Sequence, residues 1–315
     1  MTTCGILTCA ARALATLFVV MMFGACGQTV SPRADAPKPR VVSLAPALTA
    51  IVKAVGGMAH LVGVTSYCDA PGVPVVGDFS PRPEAVLAQR PDLVLMAGYE
   101  TQATTASALV GLGLAVKTLP LVTLAQMRAT TREVGRLLGR EAAADAALGE
   151  LDRALALAKP AVSPSAAVTG KPTSDTVIVN VLLVYDVQPG FVITTGGGDH
   201  LSELVALLGG KNLIVGPVTA RVGLERVLEG APDLILHVAP DTRFPDSAAA
   251  SRYWSGWPGL PAVARGQVVV YPDDGLARNG PHLAQVVPRL AAILVAARAA
   301  MAKAAAAPTG HGVTP

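Results

Sequence analysis

Charge and aromatic side chains are both scarce in this chain: of its 315 residues, 15% are Asp, Glu, Lys or Arg and 4% are Phe, Trp or Tyr. The Lys and Arg residues are scattered without a stripe or cluster, and the net charge is only +3, which argues against nucleic acid as a partner. Histidine is scarce too, with five in all and one of them in the C-terminal tail, which argues against a dedicated zinc centre; no HExxH pair is present. Nor is there a GxSxG elbow, and GGGDH, from Gly196 to His200, does not fit a phosphate-cradling loop. Its glycines read as a tight turn or a close backbone approach, and Asp199 and His200 support no hydrolase. No catalytic residues are expected, and the chain is read as a protein that is not an enzyme.

What is plentiful is apolar and turn-forming: 51% of residues are hydrophobic, with 31 Gly and 25 Pro. That composition folds, and the length suits two domains. Arg12 precedes an apolar run from Leu14 to Cys26, too short for a permanent bilayer span and suited to a signal-peptide core. Gly24 and Ala25 stand before Cys26, an ending that resembles the lipobox of bacterial lipoprotein precursors, with Phe23 where the pattern usually has Leu. The resemblance implies a signal peptide over 1–25 and lipidation of Cys26, and GQTVSPRADAPKP then reads as a tether over 26–39. With Cys4 and Cys9 removed and Cys26 committed to lipid, Cys68 is left alone; there is no CxxC, and it reads either as a buried, inert thiol or as one with a role at a ligand pocket.

From residue 40 to 122 strand and helix signals alternate. VVSL and LVGVT are strands around a helix at Thr49–Val55, and Pro83 opens a helix with Glu84 near its start and Ala85, Val86 and Leu87 expected on the core side. RPDLVL then starts a nearly all-apolar strand of the kind buried between helices. Residues 123–159 change to helical spacing, with Val134, Leu137, Leu138, Leu148, Leu151 and Leu155 among the apolar positions, and are expected to form a long connecting helix, a break being allowed at Gly135, Gly139 or Gly149. PAVSPSAAVTGKPTSD is a surface loop, and a second α/β lobe follows over 160–298, with a tail over 299–315. The second lobe echoes the first: HLSELVALLGGKNLIVG parallels TAIVKAVGGMAHLVGV, and LERVLEGAPDLIL parallels PEAVLAQRPDLVL. The expectation is an internal duplication: two similar α/β lobes, each with a mainly parallel sheet, and a ligand cleft between them.

Taken in order, RVVSLAPALTAIVKAVGG, LVGVTSYCDAP, GDFSPRPEAVLAQRPDLVL, TTGGGDHLSELVALLGGKNLI, VGLERVLEGAPDLIL and YPDDGLARNGPHL resemble the substrate-binding proteins of ABC importers for metal chelates, closest to the vitamin B12 branch, over residues 40 to 295. The resemblance implies a monomer outside the cytoplasm, here anchored to membrane lipid through Cys26. It implies a corrinoid, cobalamin or cobinamide, as transported ligand rather than intrinsic cofactor, little hinge closure, and delivery to a dimeric permease with cytoplasmic ATPase subunits. It assigns ligand contact to Tyr67, Phe79, Phe191, Asp274 and Arg278, and docking onto permease arginines to Glu84 and Glu225. A carboxylate near a helix N-terminus stays free to pair with such an arginine. Departures from the branch are Phe79 and Thr219 where Trp is expected, and His282 in place of an Arg; they leave haem or a ferric siderophore as alternative ligands, haem calling for Tyr67 with His200 or His282 as axial ligands. Trp254 and Trp257 read as packing rather than ligand contact.

Overall fold

A computed structural model describes residues 38–78, 81–98, 102–159, 177–216 and 219–306. The expected signal peptide, Cys26, most of the expected tether, Phe79, the expected loop over 160–175 and the end of the tail lie outside the described residues.

The first lobe is built on strands β1 (Val41–Ser43), β2 (Leu61–Thr65), β3 (Val75–Gly77), β4 (Leu93–Ala97) and β5 (Val116–Leu119), all parallel in the order β3-β2-β1-β4-β5. Helices α1 (Pro46–Ala54), α2 (Pro83–Ala88) and α3 (Ala103–Gly111) connect them. β1 is buried throughout and β4 is buried from Val94 on, so each strand is apolar on both sides rather than alternating. The second lobe has β6 (Val179–Val184), β9 (Gly210–Asn212), β11 (Leu234–His237) and β12 (Val268–Val270) in the order β12-β11-β6-β9, again parallel.

The duplication read from sequence is present in the topology: β2-β1-β4-β5 corresponds to β9-β6-β11-β12. Register matches too, since Val41 stands opposite Leu93 and Val181 opposite Leu234. One residue before each pair an aspartate clips the strands together. Asp92 and Arg40 exchange backbone and carboxylate hydrogen bonds, and Asp233 and Asn180 do the same. The preceding helices, α2 and α7 (Leu224–Gly230), end alike, at Arg90 (φ 47°) and Ala231 (φ 44°). Proline follows each and bars the helical conformation, so the residue turns left-handed and donates its N–H to the carbonyl of Leu87 or Leu228. Leu87, expected in the core, is 41% exposed; a helix turns about 100° per residue, so Val86 takes the buried face and Leu87 is carried off it.

A small antiparallel sheet, β7 (Asp186–Gln188), β8 (Phe191–Thr194) and β10 (Ala220–Gly223), joins the second lobe in the order β10-β8-β7. The remaining helices there are α6 (His200–Leu207), α8 (Ser247–Trp254), α9 (Pro261–Ala264) and α10 (Leu283–Ala306). The last extends beyond the expected end of the lobe into the tail, as its alanine-rich sequence favours.

The connector is two helices, α4 (Leu124–Leu138) and α5 (Glu141–Ala158), broken at Gly139, where φ of 62° ends α4. They fold back on each other: a Cβ on Gly135 would lie 2.7 Å from that of Ala144, and Arg128 pairs with Asp152 while Arg132 pairs with Asp145. One hydrophobic core runs from α1 through α4 and α5 to α6 and α10, so it crosses both lobes without a break. A polar seam reinforces it. The carbonyl of Val122 accepts from the backbone N–H of His200 at 2.8 Å, the N–H of Leu124 donates to the Glu203 carboxylate at 2.7 Å, and the Asn279 amide donates to the carbonyls of Leu121 and Thr123 at 2.7 and 3.2 Å.

Candidate ligand-binding cleft

Strands of a parallel sheet present binding loops at their carboxyl ends. After β2 the chain enters the Ser66–Asp69 loop; after β12 it runs through Asp273–His282 before α10 begins. These two loops, with α1, the flank of α5 and the start of α10, border an open cavity of about 380 Å³ between the lobes. Its first-lobe wall carries Lys53 and Asp69, α5 supplies Glu150, and the second-lobe wall carries Asp273, Asp274, Arg278 and His282.

The charged groups are arranged as two pairs. Lys53 and Asp69 meet at 2.7 Å, each side chain about half exposed, and Arg278 pairs with Asp274 one helical turn away. The Lys53 ammonium, by hydrogen bond and by charge, pulls the Asp69 carboxyl below its ordinary value; Arg278, from the opposite lobe, adds to it. Asp273 instead accepts the N–H of Gly275 at 2.8 Å. The cavity therefore presents paired charges of both signs, with carboxylates in excess. His282 is held by the Gly275 carbonyl at 2.9 Å, and burial pushes its pKa down, opposed by that bond, so at neutral pH the ring carries no charge.

Of the residues expected at the ligand, Asp274 and Arg278 line this cavity. Tyr67 belongs to the same loop as Asp69, 45% exposed, but is not part of the cavity wall. Phe191 lies elsewhere, half-buried on β8 with the Arg221 guanidinium 4.2 Å from its ring centroid. Thr219 is exposed, one residue before β10. Sequence reasoning passed over Lys53, Asp69 and Glu150; Asp69 stood inside the quoted SYCDAP, but its partner is 16 residues away and only folding joins them.

The remaining candidates lie outside the cavity lining. His200 is buried in the first turn of α6, and burial keeps its pKa low against the pull of Asp199. Asp199 caps that helix through the N–H of Ser202 at 2.9 Å, after Gly197 and Gly198 turn at positive φ. Cys68 is half-buried, 3.1 Å from the Thr65 hydroxyl. Trp254 is fully buried and donates its indole N–H to His237 at 3.0 Å, within a ring cluster with Phe244, Tyr253 and Trp257. Glu84 and Glu225 occupy equivalent exposed positions in the first turns of α2 and α7, and neither has a cation within ion-pair distance among the described residues.

The periplasmic binding protein family matches residues 41–274. No curated protein sequence matches. Solved structures with the same fold include the periplasmic haem-binding protein BhuT in complex with two haems (24% identity, TM-score 0.68, covering 82% of this chain and 99% of that one). The periplasmic vitamin B12-binding protein BtuF of Vibrio cholerae is similar at 22% identity and TM-score 0.68, covering 83% and 98%. A periplasmic haem-binding protein from Pseudomonas aeruginosa is similar at 25% identity and TM-score 0.65, covering 82% and 93%.

Proposed function

Because the chain belongs to the periplasmic binding protein family and is a substrate-binding protein of an ABC importer working outside the cytoplasm, we propose that its cargo is a corrinoid, held at the cavity between the lobes. The observation that carries this reading is the charge arrangement of the cavity: Lys53 and Arg278 are each already paired with a carboxylate, and Glu150 and Asp273 add further negative charge. An anionic chelate such as a siderophore would have to break those pairs and face the surplus carboxylates. A corrinoid carries peripheral amides, which both donate and accept, and amides suit paired charges without displacing them. The cavity, about 380 Å³, is smaller than a tetrapyrrole, so it takes one edge of the ligand while the face of the ring lies against Tyr67 and its neighbours.

Haem is the second reading, and the placement of a tyrosine, Tyr67, partly exposed on the cleft loop favours it. Of the two histidines considered as its partner, His282 lines the cavity, while His200 is buried in the seam between the lobes.

Delivery uses Glu84 and Glu225, one per lobe, as anchors for arginines of the permease. Cys26 lipidation keeps the protein near that permease. The test of the cavity is Asp274→Ala with Arg278→Ala, titrated with cobalamin by calorimetry. Loss of the pair weakens binding by about tenfold or more; an unchanged affinity takes the ligand away from this cavity.

A further inference from the structure

The two halves of the docking surface carry more than a glutamate. One turn after Glu84 stands Leu87, and one turn after Glu225 stands Leu228; these leucines are 41% and 43% exposed. At three residues' separation a glutamate and a leucine share a helix face. Between them Val86 and Val227 are buried at 0% and 1%, so both helices sit on their lobes in the same rotation. A single exposed leucine is ordinary. The same leucine exposed to nearly the same degree, at the same place beside a glutamate with no ion-pair partner among the described residues, twice in one chain, is a repeated surface.

The flanking positions are not repeated. Ala85 and Ala88 on α2 correspond to Arg226 and Glu229 on α7, and the latter two pair with each other at 3.5 Å. What the lobes hold in common on this face is therefore one carboxylate and one isobutyl group. Resting on the docking reading above, we propose that Leu87 and Leu228 seat in two equivalent apolar recesses, each beside an arginine, on the two-fold-related halves of a dimeric permease. A partner presenting the recess once could use only one lobe; a symmetric dimer presents it twice and engages both. Charge fits this occupant. Among the described residues neither Glu84 nor Glu225 has a cation within ion-pair distance, and Arg226 beside Glu225 is paired with Glu229, so the surface that matches both patches is a cation beside an apolar recess. Because the two halves of the partner are identical, either lobe can meet either half with the same result.

The test uses the full-length chain in membranes of its own host. A photo-crosslinking residue is placed at position 87 in one preparation and at 228 in another, and cross-linked peptides are mapped by mass spectrometry. Both positions are expected to mark the same segment of the same membrane-spanning polypeptide. Marks on two different segments, or on a second copy of this chain, overturn the proposal. Binding to that solubilised permease is then compared for Leu87→Ala, Leu228→Ala, the double variant and Glu84→Ala with Glu225→Ala. Each leucine change is expected to weaken docking about tenfold, with the double change multiplying the losses and ligand affinity untouched. If the leucine variants dock normally while the glutamate pair does not, this proposal falls and glutamate docking stands. If neither set matters, both fall.

Discussion

The Asp92 carboxylate accepts the backbone N–H of Arg40 at 2.8 Å while its own N–H returns a bond to the Arg40 carbonyl, a two-way clip reproduced in the second lobe by Asp233 and Asn180. In each lobe the clip sets the register of the two central strands and the direction from which the preceding short helix arrives. The clip follows shortly after the helix that carries Glu84 in the first lobe and Glu225 in the second.

The two clips should differ in strength. Asp233 is buried and also binds the Asn180 side-chain amide at 3.2 Å and Arg265 at 2.8 Å, whereas Asp92 is exposed. Asp233→Ala leaves three partly buried donors without their acceptor and should cost about 1–3 kcal/mol; Asp92→Ala should cost about 1 kcal/mol or less. Urea unfolding of both variants checks the order.

Acid should weaken the second lobe through His237. Burial pushes its pKa down to about 4, against the opposing pull of Asp241, and the neutral ring accepts the Trp254 N–H. The unfolded ring, with a pKa near 6.5, binds a proton first, so the contribution is full above about pH 6.5 and lost as pH falls toward 4, at about 1.4 kcal/mol per pH unit. His200 and His282, also lowered mainly by burial, act with the same sign. His237→Gln should flatten the fall in stability between pH 6.5 and 4, read by Trp fluorescence during unfolding.

Closure on ligand should be small. The continuous core through α4, α5 and α10, together with the bonds from His200, Glu203 and Asn279 to Val122 and its neighbours, resists rotation of one lobe against the other. Solution scattering should give nearly the same radius of gyration with and without saturating ligand. Gly135→Val, which drives a side chain into Ala144, should in contrast destabilise the fold by about 1–3 kcal/mol.

Uptake and ligand binding should separate at the rim. Glu84→Lys with Glu225→Lys should leave ligand affinity unchanged and abolish transport in cells with the cognate permease, since exposed substitutions shift stability by about 0.5 kcal/mol or less. Equal loss of both activities would move these residues into the pocket or the fold.

Much of this architecture was legible in the sequence because buried parallel strands write themselves as short apolar runs, and LVL after Pro91-Asp92 and LIL after Pro232-Asp233 do so twice. Helix termini were legible where proline or glycine enforces them, as at Pro83 and Gly139. The β7, β8 and β10 sheet was not, because its strands are three or four residues long and β10 pairs across the intervening α6 and β9. Leu87 was misplaced because three successive apolar residues in a short helix give no phase. In the cleft, Asp274 and Arg278 were visible as a local pair in one turn, while Lys53 and Asp69 meet across a helix and a strand that sequence spacing does not bring together.

The most direct measurement is a calorimetric titration of the mature protein with cobalamin, cobinamide, haem and a ferric siderophore under one set of conditions. The account predicts saturable one-to-one binding of a corrinoid, weakened by loss of Arg278 and its partner Asp274, with the siderophore bound least. Binding of haem or siderophore with no heat from either corrinoid would contradict it.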